Sequence, residues 1–396
     1  MSTISWFIPS LIKGSGGHRT ILQHAAYLES KGHKCIIYLE DEHGIGNAAE
    51  KISSLFNMHF THVFYGWKNA TFSDVAIATV WYSSAFVASL PFECKKVYLV
   101  QDYEAWFNPM GDAYLMAENS YQYGLTPITI GRWLRHTLKE KFNVDSYHFE
   151  FGANLNIYKK NSSSQKEKAI CFIYQPDKPR RCSRIGLEAL GIVKHRIPDV
   201  KIYLYGSDAK DNVWFEHENV GLIGLDECND LYNRCTVGLC LSSSNPSRIP
   251  FEMMASGLPV VEMWRDNNLY DLPDSSVLLA KQTPESLAAA LILLLEDPAR
   301  CKIMSESGIE FMSSRNLSVE TEQFSSALEN ILSGGSLNSD HIEKMYKGDL
   351  VEAAITRQAT LAALHIVKPS KLKKLAMLLP VGVQAHLRKI YRIIKR

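Results

Sequence analysis

Four short stretches of this 396-residue chain combine residue types that can do chemistry. Lys13-Gly14-Ser15-Gly16-Gly17-His18-Arg19 is a glycine turn at the start of an amphipathic run. Glycines let the backbone approach a ligand closely, and the free N–H groups of a helix start favour a phosphate or another anion. A dinucleotide fingerprint needs a third glycine where Arg19 stands, although Glu40 is placed to hold a ribose. A plain strand-to-helix turn has the same composition. Gln101-Asp102-Tyr103-Glu104-Ala105-Trp106-Phe107 mixes carboxylates with rings. Rings stack on sugar faces and carboxylates accept hydrogen bonds from hydroxyls; the plainer reading is a helix start capped by Asp102 over packed aromatics.

In Gln175-Pro176-Asp177-Lys178-Pro179-Arg180-Arg181-Cys182-Ser183, two guanidinium forks beside a helix start suit a diphosphate. The alternative is a solvated charged turn. In the stretch 242–261, polar residues lead into a short apolar helix carrying Glu252, and Gly257-Leu258-Pro259 turns into the next strand. A carboxylate among apolar residues is costly without partners; ligand hydroxyls or an arginine of the same domain would serve. No two aspartates lie two residues apart, and the eight cysteines form no C-x-x-C pair. No metal is therefore expected, and the thiols read as reduced and buried. Charge on a leaving diphosphate falls to Arg180, Arg181 and helix N-termini.

The elements that must position these stretches are legible as alternating runs. Strand-like runs at 4–8, 35–39, 62–64, 75–79, 96–101, 127–130 and 147–151 are mostly separated by helical spacing, such as that over 18–31. A polar linker over 161–167 follows. The pattern then restarts with strands at 169–174, 200–205, 220–223, 237–241 and 260–261, and with helices over 183–196, over 225–234 and from 251. This predicts two α/β domains with parallel sheets and a cleft between them, the ligand lying at the carboxyl ends of the strands. Boundaries fall at 1–157 and 168–335, followed by a helical segment, 336–367, and a basic tail, 368–396.

The motifs resemble the glycosyltransferases of sequence family 4, which have the GT-B architecture of two Rossmann-like domains facing a central cleft, with C-terminal helices. Glu252-Met253-Met254-Ala255-Ser256-Gly257-Leu258-Pro259-Val260-Val261 is similar to the donor-binding helix of that family, Gly14 to Gly17 to its glycine loop, and Gly152-Ala153-Asn154 to the step closing its first domain. The resemblance covers about residues 1–335. More narrowly, Gly16-Gly17-His18, Val100-Gln101-Asp102-Tyr103-Glu104, Pro179-Arg180-Arg181 with Gly186-Leu187-Glu188-Ala189-Leu190, and Asn245-Pro246-Ser247 resemble the rhamnosyltransferase subfamily typified by WsaF.

That resemblance implies a retaining, metal-independent enzyme that needs no cofactor and moves L-rhamnose from dTDP-L-rhamnose onto a bacterial surface glycan such as O-antigen. The leaving phosphate oxygen helps to remove the acceptor proton, and no protein base is assigned. By position, Gly16, Gly17, Arg180, Arg181, Ser247 and Glu252 would bind the donor, with Gly16 and Gly17 near its reacting carbon; Asp102 and Gly17 are the catalytic candidates, Asp102 facing the acceptor or the transferred sugar, and His18, Tyr103 and Glu104 would face the acceptor. Ser244 stands where the family carries a sugar-binding glutamate, and Gln175 where an arginine is common. Those departures keep open a UDP- or GDP-sugar donor and a non-catalytic binding subunit; Arg19 disfavours a nicotinamide enzyme.

Composition excludes a mostly disordered chain, with 46% hydrophobic and 21% charged residues. The net charge of +1 conceals an asymmetry: residues 368–396 hold nine basic residues and no acidic one, leaving −8 for the rest. An apolar stripe at 372, 376, 379, 383, 387, 390 and 394 makes the tail an expected basic amphipathic helix for an anionic membrane surface or a partner protein. Nucleic acid is not an expected partner. The start of the chain does not read as a signal peptide, and the longest apolar run, 287–295, is too short for a bilayer core of roughly 30 Å. The expected location is the cytoplasm, peripheral on the inner face of the membrane, with the acceptor on a lipid carrier.

Overall fold

Unbroken apolar runs such as Trp6-Phe7-Ile8 and Val75-Ala76-Ile77-Ala78 are fully buried, as expected of parallel strands covered on both faces. They build two sheets in a computed structural model that describes residues 1–209, 213–337 and 340–354. The first sheet contains β1 (Thr3–Ile8), β2 (Lys34–Leu39), β3 (Val63–Tyr65), β4 (Val75–Ala78), β5 (Lys95–Val100), β6 (Thr126–Ile130) and β7 (Tyr147–Phe149). Its order is β3-β2-β1-β4-β5-β6-β7, and every pairing is parallel. Its crossovers carry α1 (Gly16–Ser30), α2 (Ala48–Phe56), α3 (Trp81–Ala88), α4 (Asp112–Asn119) and α5 (Arg132–Phe142).

The second sheet contains β8 (Ala169–Ile173), β9 (Lys201–Tyr205), β10 (Glu218–Asn219), β11 (Val237–Leu239), β12 (Val260–Met263) and β13 (Val277–Ala280), ordered β10-β9-β8-β11-β12-β13 and again parallel. Between its strands lie α6 (Ser183–Arg196), α7 (Leu225–Arg234), α8 (Ile249–Ala255) and α9 (Asp266–Leu269). After β13 come α10 (Pro284–Glu296), α11 (Pro298–Ser313) and α12 (Leu317–Leu332). Side-chain caps set several helix starts. Ser15 accepts from the His18 N–H, Asn47 from those of Ala49 and Glu50, and Thr283 from that of Ser286.

Several expectations shift. β10 forms at 218–219 rather than 220–223, and β13 is an added edge strand. The linker over 161–167 has no regular element but is pinned: the Asn161 N–H donates to Asn233 Oδ1 at 2.7 Å and the Glu167 N–H to the Arg234 carbonyl at 2.8 Å. Although assigned from sequence to the second domain, α12 packs on α1 and on β6 and β7 of the first. The described part of 336–367 contains no helix. It lies along β13, where Val351 donates to the Leu279 carbonyl and accepts from the Lys281 N–H, covering an edge that would otherwise be open to pairing. The tail 368–396 lies outside the described residues.

One hydrophobic cluster runs from the first sheet into the second domain, joined by the stacked rings of Phe151 and Phe251, 4.6 Å apart and 8° from parallel. A second cluster fills the space between the second sheet, α6 and α10. A carboxylate of the second domain caps a helix of the first: Asp271 accepts from the Arg132 and Trp133 N–H groups at 2.7 and 3.1 Å. Gly131, at φ +80°, permits this approach, because a Cβ there would lie 2.6 Å from the Phe151 ring and 2.9 Å from the Asp271 carboxylate.

Candidate active site

The strand order reverses between β1 and β4 in the first sheet and between β8 and β11 in the second. Ligand crevices of open α/β sheets form at the carboxyl ends of strands at such points. The loops there carry the glycine turn after β1, Arg180 and Arg181 after β8, and Ser242 to Arg248 after β11.

These loops meet. A Cβ on Gly17 would lie 3.7 Å from the Gln101 amide, so the glycine turn backs directly onto the residue before Asp102. Asp102 reaches across to the second domain, accepting from Ser244 Oγ at 3.0 Å and from the Asn245 N–H at 2.9 Å. Asn245 Nδ2 returns hydrogen bonds to the carbonyls of Gln101 (3.0 Å) and Ile130 (3.4 Å). Burial raises the Asp102 pKa, opposed first by the Arg180 guanidinium, whose Nε lies 3.9 Å away. Asp102 thus sits between the domains and beside the expected diphosphate clamp. Ser244, standing in for the family's glutamate, is its hydroxyl donor.

Arg180 and Arg181 form a short 3-10 turn, and Arg180 lies over the Phe107 ring at 4.5 Å. The buried Nε of Arg180 and the Nε and Nη1 of Arg181 have no hydrogen-bond partner. Buried donors without acceptors are rare and costly, and here they cluster where a phosphate would be bound. Ser243 donates its N–H to the Arg180 carbonyl at 2.9 Å, tying this turn to the loop after β11.

Glu252 lies on α8. Burial pushes its pKa up to about 7, against the charges of Arg248 and Arg19 and a hydrogen bond from Tyr158. The Arg19 charge thus helps to hold the Glu252 pKa down, an influence that the sequence shows only as a broken fingerprint. Arg248 carries a network absent from the expected site. Its Nη1 donates to the Gly152 carbonyl (2.7 Å) and Glu320 Oε2 (2.5 Å), and its Nη2 donates to Glu320 Oε1 (2.8 Å) and Thr20 Oγ1 (3.0 Å). Glu320 also accepts from the Gly152 N–H at 2.8 Å. The available sequence signal is an arginine beside the apolar Ile249-Pro250-Phe251 and a glutamate on the inward face of α12. Ser247 is 7% exposed and accepts from the Ile249 N–H. Gly16 has open space where a Cβ would be.

Two of the expected acceptor contacts, Tyr103 and Glu104, turn into the first domain, and the third, His18, is buried with both ring nitrogens unpartnered. Tyr103 is fully buried among Trp106, Tyr121, Trp133 and Phe142, with its hydroxyl donating to Glu118. Glu104 is buried and accepts from the Trp81 N–H at 2.6 Å, capping α3, with burial pushing its pKa up to about 8. His18 is buried 6.1 Å from the Phe56 ring, and burial lowers its pKa. Strand-end geometry explains the pattern: after β5, Asp102 turns to the cleft while its two successors turn into the first domain.

Beneath the site, Glu262 is fully buried at the end of β12. Its Oε1 accepts from the Ser242 and Met263 N–H groups, and Oε2 has no partner. Burial pushes its pKa up from the ordinary 4.5 to about 8. The neutral acid thus contributes fully below about pH 4.5, and this contribution is lost as pH rises towards 8, at up to about 1.4 kcal/mol per pH unit. Glu262→Gln removes that titration. Urea unfolding is expected to show the variant gaining stability relative to the parent between pH 5 and pH 8; parallel pH profiles would contradict the assignment. Among the described residues, no group of three His, Cys, Asp or Glu is arranged to hold a metal.

Comparisons with known proteins agree with this architecture. Residues 168–292 match the family described as WsaF, C-terminal domain. A 225-residue segment is 28% identical to the O-antigen biosynthesis protein RfbC of Myxococcus xanthus, covering 55% of this chain and 18% of that protein. Among solved structures, Anabaena HepE in complex with UDP-glucose superposes with a TM-score of 0.66 at 14% identity, covering 83% of this chain and 100% of HepE. A variant of S. aureus TarM, in complex with fondaparinux, α-GlcNAc-glycerol and UDP, gives a TM-score of 0.63 at 9% identity, over 84% of this chain and 100% of TarM. At such identities the likeness speaks for the fold. The chain has the GT-B fold of two Rossmann-like domains, and its second domain is similar to the WsaF C-terminal domain.

Proposed function

We propose that the chain is a glycosyltransferase that moves L-rhamnose from dTDP-L-rhamnose to a growing surface glycan of the O-antigen type. The observation that carries this reading is the cluster of buried guanidinium nitrogens without a hydrogen-bond acceptor, Arg180 Nε and Arg181 Nε and Nη1, at the second sheet's switch point and beside Asp102. The arginines would neutralise charge on the leaving diphosphate. Glu252 would accept a hydrogen bond from a hydroxyl of the nucleoside, and Gly16 and Gly17 would let the donor approach the first domain. In a retaining transfer the bond from the sugar C1 to the diphosphate oxygen breaks and the acceptor oxygen bonds to C1 on the same face. The acceptor proton passes to the departing phosphate oxygen. Asp102 would orient the reacting groups from the position where Ser244 and Asn245 hold it.

The rhamnose donor rests on the resemblance of the motifs to WsaF-type rhamnosyltransferases; the match over 168–292 to the WsaF C-terminal domain supports that resemblance, and the likeness to RfbC, which spans 18% of that protein, supports the O-antigen setting. A UDP-sugar donor is the second reading, favoured by the nucleotides bound in HepE and TarM. Within the first reading the acceptor rides on a lipid carrier and the enzyme works at the cytoplasmic face of the membrane. The nine basic residues of 368–396 would supply electrostatic attraction to anionic lipid. No helix among the described residues is long and apolar enough to cross a membrane.

Incubating the full chain with dTDP-L-rhamnose, UDP-glucose or a GDP-sugar, with a rhamnan-primed acceptor, and measuring released nucleotide decides between these donors. Release of dTDP alone is the expected result. Release of UDP alone moves the assignment to the second reading, and no release with any donor contradicts a transferase.

A further inference from the structure

Glu40, the residue after β2, is singled out by the sequence but left without a role in the donor site. Its Oε2 accepts from the Ser10 N–H and the Tyr82 hydroxyl, both at 3.1 Å, while Oε1 has no protein partner among the described residues. Ser10 also donates its hydroxyl to Asp41, whose other oxygen pairs with Lys51 at 2.9 Å. Beside these carboxylates stands an aromatic wall. Tyr82 stacks on Trp67 with ring centres 5.7 Å apart and 28° between planes, and Trp81 meets Tyr82 at 5.3 Å and 85°.

The wall is rigid. Trp67 Nε1 is shared between the Ile8 and Tyr38 carbonyls, each at 3.2 Å, and the Trp81 N–H is held by Glu104. It is also half-exposed: Trp67, Trp81, Tyr82, Glu40 and Asp41 all keep part of their surface in solvent. Among the described residues the Trp81 indole has no hydrogen-bond acceptor and no parallel ring partner. These residues follow the carboxyl ends of four strands around the first sheet's switch point: Ser10 after β1, on the loop of the glycine turn, Glu40 and Asp41 after β2, Trp67 after β3, and Trp81 and Tyr82 after β4.

We infer that Trp81, Tyr82 and Glu40 form a carbohydrate subsite in the first domain that holds a pyranose unit of the acceptor glycan. The C–H face of a pyranose packs on an indole, the free carboxylate oxygen accepts from ring hydroxyls, and the indole N–H donates to a sugar oxygen. Glu40, Asp41 and Glu104 around the rings make the site a poor host for a phosphate-bearing nucleotide and a good one for a neutral sugar. This subsite takes over the acceptor role expected of His18, Tyr103 and Glu104, and it rests on the reading of the chain as a glycosyltransferase.

Saturation-transfer NMR on the full chain with methyl α-L-rhamnopyranoside, methyl α-D-glucopyranoside and N-acetyl-D-glucosamine tests it, alongside a dTDP and UDP titration of each protein. At least one sugar is expected to bind, with affinity falling tenfold or more in Trp81→Ala, about fivefold in Glu40→Gln and less than threefold in Trp81→Phe. Trp214→Ala removes an aromatic residue 62% exposed on the second domain and is expected to change nothing. The shape-keeping Trp81→Phe and Glu40→Gln variants guard against misfolding. Absence of sugar binding in the parent, or binding that Trp81→Ala and Glu40→Gln leave unchanged, overturns the subsite. Competition between sugar and nucleotide for Trp81 also overturns it. Loss of nucleotide binding in the parent, with sugar binding intact, instead overturns the functional reading while the subsite stands.

Discussion

Arg248→Ala is expected to destabilise residues 1–353 by about 3–5 kcal/mol, because it removes one partner of a buried ion pair and leaves the other charged. Glu320 is 2% exposed, and without Arg248 its carboxylate keeps only the Gly152 N–H as a close donor. The loss also releases Thr20 on α1 and the Gly152 carbonyl, so α1, the end of the first domain and α12 all lose a tie to the second domain. With Arg248 present, burial first and then the Arg248 charge push the His24 pKa down to about 3, and the burial that opposes a charged His24 ring remains in the variant. Reversible urea unfolding measures the effect. A double change to Arg248→Met and Glu320→Leu should recover most of the loss, since a well-packed apolar pair can replace a buried ion pair at little cost. A destabilisation below about 1 kcal/mol for Arg248→Ala would mean that the network is not a structural tie.

Arg180→Ala is expected to lower nucleoside-diphosphate affinity by roughly 10- to 100-fold, the range of a charge-assisted hydrogen bond of about 1.5–3 kcal/mol. Folding stability should fall by less than for Arg248→Ala, because Asp102 loses the Arg180 charge 3.9 Å away and Phe107 its cation but Asp102 keeps its hydrogen bonds from Ser244 and Asn245. Arg180→Lys, which keeps the charge and loses the planar fork, should fall between. Calorimetric titration with dTDP or UDP and a thermal melt of each variant measure both quantities. Loss of stability together with unchanged affinity would make Arg180 a scaffold residue.

Much of this fold is legible because parallel strands buried on both faces read as apolar runs; those at 4–8, 75–79 and 169–174 fall within a residue or two of β1, β4 and β8. The four-residue β13 is not, since it lies just before the stronger apolar run of α10. The polar loops are found by their composition, but the direction of each side chain is not. Asp102, Tyr103 and Glu104 look equivalent in sequence, and only packing around Trp133 and α3 separates one cleft residue from two buried ones. Contacts between distant residues are the other hidden term. Asp102 meets Asn245 across 143 positions, and Arg248 meets Thr20 across 228. Arg19 illustrates the same limit, reading as a missing glycine although its charge acts on Glu252, 233 positions away in the chain.

The glycine turn, Asp102 and the Arg180-Arg181 pair are claimed to form one nucleotide-sugar cleft, and a thermal-shift panel of dTDP, UDP, GDP and NAD on the full chain addresses that most directly. A ligand that binds only the folded state stabilises it by mass action, by about 2.7 kcal/mol at a hundredfold excess over Kd, and so raises the melting temperature. A rise with dTDP, or with UDP, that is lost in Arg180→Ala is the predicted result. No rise with any nucleoside diphosphate, or a rise with NAD alone, would contradict it.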